Sequence, residues 1–352
     1  MYANNTGQLF ETGVYRPPSE GGSNSLLLRF TRNCPWNKCA FCAMYKTEKF
    51  ELRPVEEIKE DIDDMAAVRD ELEDISQRHR SRGISRDVAM EFLSRHPEYN
   101  NSTSFAMLFS WLISGGETVF LQDANTLIMK THNLVEALKY LRLRFPTIKR
   151  ITTYARSGTL ARKKPEELDA IREAGLDRLH IGMESGDDEL LKKIRKGVDS
   201  EEHIKGGRKA VDAGFEVSEY WMPGLGGEEG SESHARETAR VLNEINPHYI
   251  RSRPFRPLPG TPMYEEYQEG SFRLLSPGQQ LLELRMTVQG LEVTSRVCFD
   301  HAGNYWRSRG GSLLFSHDYE GYKFPERKPH VLGLIEEGLQ YGQQGMPEFL
   351  RL

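Results

Sequence analysis

Apolar residues along the chain recur with two alternating periods. Short runs rich in β-branched and aromatic residues are each followed by a stretch with apolar positions three and four apart. The short runs predict strands at Ser25–Thr31, Thr118–Gln122, Arg150–Tyr154, Arg178–Met183, Glu216–Met222 and Tyr249–Pro254. From the second onward their starts lie 32, 28, 38 and 33 residues apart, close to the roughly 30 residues of a βαβ unit. Between them, Ile58, Ile62, Met65 and Leu72 mark one helical face, opened by Pro54 and followed by Glu56 and Glu57. Glu166–Ala174 stops at Gly175 and Glu201–Ala213 stops at Gly214, where a left-handed residue is wanted after a helix. Strand and helix alternating at this period predict an α/β protein, a parallel sheet with helices outside. Six units suit a partial (β/α)6 TIM-like barrel better than a closed eight-stranded one.

One interval is too long for this plan. More than eighty residues separate the first two strands, including the basic stretch Arg78–Arg86 and helical patterns at Arg86–Arg95 and Ser104–Ile113. A helical insert at about residues 76–113 is expected. The organisation then reads as an N-terminal segment (1–24) over the barrel mouth, the barrel (25–262) and a mixed α+β extension (263–352). The prolines at 254, 257, 259 and 262 end the repeating region. The extension is expected to hold a strand at Val293–Phe299, a Gly-rich loop and a last helix at Pro329–Tyr341.

Composition narrows the class. Of 352 residues, 38% are hydrophobic and 28% charged, which supports a packed core rather than disorder. A formal charge of −5 argues against a protein built mainly to coat nucleic acid. The longest apolar run, Phe105–Ile113, is interrupted by Ser110 and falls far short of the roughly 20 residues that cross a bilayer. The polar start Met1–Thr6 lacks a signal-peptide core. A cytoplasmic chain with no membrane partner is expected.

Four cysteines are present, three of them within nine residues: Cys34, Cys39 and Cys42, immediately after the first strand. Clustered thiols outside a small secreted scaffold point to a metal. Zinc and iron–sulfur clusters are the contenders. Structural zinc wants four ligands, and neither a second Cys pair nor a nearby His is available. Three thiolates on a [4Fe–4S] cluster leave one iron open.

A Cys-x4-Cys-x-aromatic-Cys loop after the first strand of an α/β partial barrel resembles the radical S-adenosylmethionine (radical SAM) superfamily. The likeness runs over roughly residues 15–310, towards the branch of oxygen-independent coproporphyrinogen oxidase and the methylthiotransferases. The commoner spacing has three residues between the first two cysteines; here Pro35-Trp36-Asn37-Lys38 is one longer. The other segments that carry it are Val119–Asn125, His180–Gly186 and Met222–Gly227.

This resemblance implies a [4Fe–4S] cluster on Cys34, Cys39 and Cys42 and S-adenosylmethionine bound at strand ends. The implied chemistry is reductive cleavage to a 5′-deoxyadenosyl radical, which takes hydrogen from an unidentified substrate. Expected cofactor contacts are Phe41 against adenine, Asp123, Ala124 and Asn125 for the methionyl amine, and Tyr154 and Arg156 after the third strand. Glu184 and Ser185 suit the ribose or methionyl moiety, with Lys196 and Glu219 nearby. Gly115-Gly116-Glu117 matches the amine-binding Gly-Gly-Glu of many family members, but precedes its strand and more plainly ends a helix.

No catalytic residue is assigned; Cys298 and His301 are candidates, each also readable as a structural core residue. Arg251, Arg253 and Arg256 point weakly to an anionic substrate group. Expected partners are a small-molecule substrate and a reductant such as a flavodoxin or ferredoxin, with nucleic acid left open. The alternatives are a non-catalytic iron–sulfur or S-adenosylmethionine-binding regulatory protein and a zinc protein that contacts nucleic acid.

Overall fold

The computed structural model describes residues 8–20, 25–80 and 83–342. Residues 1–7 and 21–24 of the N-terminal segment, and 81–82 of the basic stretch, lie outside the described residues. The fold is α/β with a mostly parallel sheet, and all six expected strands are present.

In chain order the first elements are β1 (Ser25–Arg29), β2 (Thr31–Arg32), β3 (Glu51–Leu52), α1 (Val55–Arg78), α2 (Arg86–Arg95) and α3 (Thr103–Ile113). They are followed by β4 (Thr118–Gln122), α4 (Thr131–Arg144), β5 (Arg150–Ala155), α5 (Ser157–Arg162) and α6 (Pro165–Glu173). Next come β6 (Arg178–Glu184), α7 (Asp188–Lys193), α8 (Ser200–Asp212), β7 (Glu216–Trp221), α9 (Gly227–Ile245) and β8 (Tyr249–Ser252). The last are α10 (Pro262–Gln268), α11 (Pro277–Gly290), β9 (Arg296–Cys298), β10 (Tyr322–Lys323) and α12 (Lys328–Tyr341).

These elements form two compact units. Within the described residues, the first takes in the chain up to Cys34, Lys49–Tyr154 and Asp169–Arg178. The second takes in Pro35–Glu48, Ala155–Leu168 and the chain from Leu179 onward.

In the first unit β4 pairs in parallel with β1 and with β5, with Leu27 opposite Phe120 and Phe120 opposite Thr152. Val119 and Leu121 are fully buried, and Ile58, Ile62, Met65 and Leu72 of α1 are at most 1% exposed, so the periodicity read from the sequence is the packing face. Helix α1 packs on α4 and α2, and α3 packs on β1. Gly115 and Gly116 donate to the carbonyls of Leu112 and Trp111 with positive φ. The Gly-Gly-Glu sequence is thus the C-terminal cap of α3, and Glu117 pairs with Lys149 at 2.6 Å.

Residues 9–20 hold to the strands of this unit. Gly13 donates to Gln122 Oε1 at 2.7 Å, and Gln122 returns bonds to the carbonyls of Gly13 and Tyr15. At the opposite strand ends Glu20, 1% exposed, pairs with Arg150 and Arg178 and accepts from Ser25 Oγ.

In the second unit the strand order is β6-β7-β8-β9-β10. β8 pairs in parallel with β7 and β9, and β10 closes antiparallel on β9. A core formed by Met183, Trp221, Ile250 and Val297 with Leu242 of α9 and Leu284 of α11 fills the layer between sheet and helices.

The first strand ends sooner than its apolar pattern suggests. After Arg29 the chain turns, and Thr31 and Arg32 pair antiparallel with Leu52 and Glu51. This two-residue ladder closes the stem of the cysteine-bearing loop. The expected strand Val293–Phe299 shortens to β9, because only those three residues find ladder partners on β8 and β10.

Candidate functional site

The cysteine loop is built from its stem. Asn33, in left-handed conformation at φ 65°, donates its backbone N–H to Asp123 Oδ2 at 2.9 Å. Its side chain accepts from Arg29 at 3.1 Å and donates to the Lys49 carbonyl at 2.7 Å. Arg29 Nε donates to the same Asp123 oxygen at 2.5 Å. Asp123, 1% exposed and itself at φ 65°, thus fixes the residue that leads into Cys34. Around it Glu11 binds Arg29 and Arg32, and Arg53 binds Asp61 at 2.7 Å. Asn125 is fully buried, Ala124 half-buried, and Tyr154 meets Phe120 edge-on at 5.0 Å.

In the second unit the rest of the loop is internally braced. Asn37 donates to the Tyr45 carbonyl, and Lys46 Nζ donates to the carbonyls of Asn37 and Cys39 at 3.1 and 2.9 Å. Ala40 donates to the Ile194 carbonyl and accepts from Met263 N–H. Phe41 packs against a cluster that includes Ala40, Met222, Phe255 and Met263. None of the four cysteines forms a disulfide; Cys39 and Cys298 are buried, Cys34 and Cys42 half-buried. Among the described residues no group of three His, Cys, Asp or Glu side chains stands in a ready metal-holding arrangement.

The strand ends of the second unit carry a buried polar group. Glu184, at φ 67°, accepts from Lys196 Nζ at 2.8 Å. A Cβ at Gly182 would lie 2.3 Å from Glu184 Oε1 and 3.2 Å from Lys196 Nζ, so only glycine leaves room for the pair. Arg156 donates to the Lys196 carbonyl at 2.7 Å and stacks on the Trp36 ring at 5.3 Å. The same ring would meet a Cβ at Gly197 at 2.1 Å, and Gly197 has φ 75°. Ser185 Oγ is engaged by His234 at 2.8 Å and by the Asp187 N–H at 3.0 Å.

Two members of this group have no hydrogen-bond partner. Both carboxylate oxygens of Glu219 and both ring nitrogens of His203 are buried and unbonded. Burial pushes the Glu219 carboxyl well above the usual carboxylate range; Lys196 opposes the shift and Glu184 adds to it. Burial, with the charges of Lys196 and Arg156, holds His203 well below the usual histidine range. Buried polar atoms without partners mark a place where a bonding partner is missing. The sequence offered no sign of His203, which sits inside an ordinary amphipathic stripe.

The candidates of the extension are placed differently. Cys298 is fully buried, donates to the Tyr319 carbonyl at 3.4 Å, and has its thiol pushed up to about 12 by burial. Arg251 faces Asp300 at 3.0 Å and also bonds Ser218 and the Tyr319 carbonyl. His301 is half-buried at the end of β9 and held down to about 4, first by burial and then by Arg253, His317 and Arg256.

Residues 108–240 match the model of the radical SAM superfamily. Enzymes of this superfamily use a [4Fe–4S] cluster and S-adenosylmethionine, and they generally need a small-molecule substrate and a reductant.

A curated relative, tRNA uridine(34) acetyltransferase of Methanocaldococcus infernus, is 28% identical over 114 residues, covering 31% of this chain and 20% of the relative. Among solved structures, methylornithine synthase shares 17% identity at a TM-score of 0.46, covering 79% of this chain and 66% of that one. Coproporphyrinogen III oxidase from Escherichia coli shares 17% at 0.40, covering 56% and 42%. The chain thus spans one fifth of the curated relative and just under two thirds of the first structure. Among the described residues no helix is long and apolar enough to cross a membrane.

Proposed function

We propose that this chain is a radical SAM enzyme in which Cys34, Cys39 and Cys42 hold an open [4Fe–4S] cluster. The observation that carries the reading is the cysteine loop itself: three thiols outside any disulfide on a loop whose stem is closed by β2 and β3, in a chain whose residues 108–240 match the model of this superfamily. The donor set fits, since three thiolates with no fourth protein ligand leave one iron for a substrate or cofactor. When bound on Cys34, Cys39 and Cys42, the cluster would supply the electron for reductive cleavage of S-adenosylmethionine, and hydrogen abstraction from a substrate would follow.

The chain's own residues bind and orient. In the first unit Asn125, Ala124 and Tyr154 are proposed to contact the cofactor, with Asp123 holding the loop stem. In the second, Phe41 offers an apolar face, and Glu184 and Glu219 offer acceptors for hydroxyl or ammonium groups. Lys196 and Arg156 supply positive charge for a carboxylate. Ser185 acts through the turn it caps. A small-molecule substrate, a reductant of the flavodoxin or ferredoxin kind and a cytoplasmic setting complete the reading.

Iron and sulfide content of anaerobically reconstituted protein, followed by 5′-deoxyadenosine formation from S-adenosylmethionine with dithionite, tests it. Bound cluster with slow cleavage supports the reading. Zinc without labile sulfide after reconstitution sinks it.

A further inference from the structure

Four residues, Pro35 to Lys38, separate the first two cysteines, one more than the commoner spacing. The second of them is a tryptophan. Trp111, Trp221 and Trp306 are core residues at most 1% exposed, whereas Trp36 is half-buried. Its indole is bonded to the turn that carries Lys196.

That turn, Ile194 to Gly197, follows α7 in the second unit. Arg195 and Gly197 both have left-handed backbone, at φ 54° and 75°. Such a conformation is unfavourable for a residue with a side chain, so the turn leans on bonds from outside it. Three successive carbonyls receive them. The Ala40 N–H donates to Ile194 at 2.8 Å, Trp36 Nε1–H donates to Arg195 at 2.8 Å, and Arg156 Nη2 donates to Lys196 at 2.7 Å. Two of these donors belong to residues 35–48, the stretch that carries Cys39 and Cys42.

The Trp36 ring adds contact on the far side of Lys196. A Cβ at Gly197 would stand 2.1 Å from Trp36 Cζ2, so the ring lies directly on the glycine backbone. The Arg156 guanidinium lies 5.3 Å and Lys38 Nζ 5.0 Å from the ring centre. Trp36 thus touches the residues before and after Lys196, and the arginine that bonds the Lys196 carbonyl. The Lys196 side chain, held at its backbone in this way, reaches Glu184 at 2.8 Å. On the loop side, Lys46 Nζ ties the carbonyls of Asn37 and Cys39 together at 3.1 and 2.9 Å, so a shift of Trp36 is felt next to Cys39.

We infer that Trp36 is a positioning residue: through the turn at 194–197 it sets Lys196 on Glu184 and couples that pair to the stretch carrying Cys39 and Cys42. It acts through Lys196 and makes no contact with reacting atoms. The inference deepens the radical SAM reading and rests on it, because that reading gives Lys196 and Glu184 to S-adenosylmethionine.

A double-mutant cycle on the full-length reconstituted protein tests it, with affinity for S-adenosylmethionine read by calorimetry and iron content and circular dichroism checked on each variant. Trp36→Ala is expected to weaken binding by about tenfold, and Trp36→Phe, which keeps a ring on Gly197 and loses only the Nε1–H, by less. In a Lys196→Met background the same Trp36→Ala change should cost no more than about twofold, because nothing remains to be positioned. Equal losses in the two backgrounds overturn the inference, and so does parent-like affinity in either single variant.

A second readout needs neither cluster nor cofactor. The backbone N–H groups of Ile194, Arg195 and Lys196 are bonded within their turn at 2.9, 3.0 and 2.9 Å. By hydrogen exchange they should open about tenfold faster in Trp36→Ala than in the parent, with the amides of α9 unchanged. Trp36→Phe carries the same comparison should the alanine variant not fold. Parent-like exchange at 194–196 overturns the inference. Cleavage of S-adenosylmethionine alongside an additive cycle removes only this inference. A parent protein without cluster or cleavage removes the enzyme, and hydrogen exchange then decides the role of Trp36 by itself.

Discussion

The backbone N–H of Asn33 donates to Asp123 Oδ2 at 2.9 Å, across ninety residues of chain. Asp123 receives Arg29 on the same oxygen, so one buried carboxylate holds both the end of β1 and the residue that precedes Cys34. Asp123→Ala removes the more buried of the two carboxylates on Arg29 and leaves it Glu11 at 3.2 Å, at an expected cost of about 1.5–3 kcal/mol, that of a lost hydrogen bond to a charged group. Denaturant unfolding measures that loss. The iron retained by the folded variant should also fall, whereas Asp123→Asn, which still accepts from the Asn33 N–H, should recover part of it. Full iron retention in Asp123→Ala would show that the loop does not depend on this anchor.

Cysteine substitutions separate ligand from core. Cys39→Ala should abolish the cluster. Cys298→Ala should leave iron and sulfide unchanged, because that thiol is fully buried against the Tyr319 carbonyl and carries its proton at neutral pH. Equal iron loss in the two variants would overturn the ligand assignment.

Gly182 tests the Glu184–Lys196 pair. Gly182→Ala puts a methyl 2.3 Å from Glu184 Oε1, so the pair must shift. Calorimetry should show affinity for S-adenosylmethionine down by about tenfold, the effect of one lost hydrogen bond to a charged group, with the fold retained by circular dichroism. Unchanged affinity would place the cofactor away from this pair.

Glu219 gives a pH signature. Its carboxyl is raised in the folded state, so folding favours the protonated form. The stability this confers is present below the ordinary carboxylate range and is lost as pH rises towards the raised value. Glu219→Gln cannot ionise and should escape that loss. Parent and variant should differ little near pH 4, and the variant should gain on the parent as pH rises to 8, by about 1.4 kcal/mol for each unit the folded value is raised. Parallel stability curves across that range would mean that Glu219 has a partner in solution.

Much of this architecture was legible in the residues. Each of the six strands is an apolar run with β-forming composition, and Gly175 and Gly214 end helices because a left-handed residue there needs no side chain. The cysteine spacing and the strand-end residues Glu184, Lys196 and Glu219 likewise stood out, because their chemistry is unusual where an apolar strand meets a loop.

Tertiary structure decided what those residues touch. β2 and β3 are two residues each, too short for any periodicity, and exist only because residues twenty apart meet across the loop stem. Asp123 meets Arg29 and Asn33 from a stretch of chain about ninety residues away, contacts that nothing near it in the sequence announces. Nothing local distinguishes His203 from any polar residue on a helix; its burial beside Lys196 and Arg156 makes it notable. Local pattern is set by backbone geometry over a few residues and so can be read along the chain. Pairing and desolvation depend on atoms brought together from distant positions, and only the folded chain determines them.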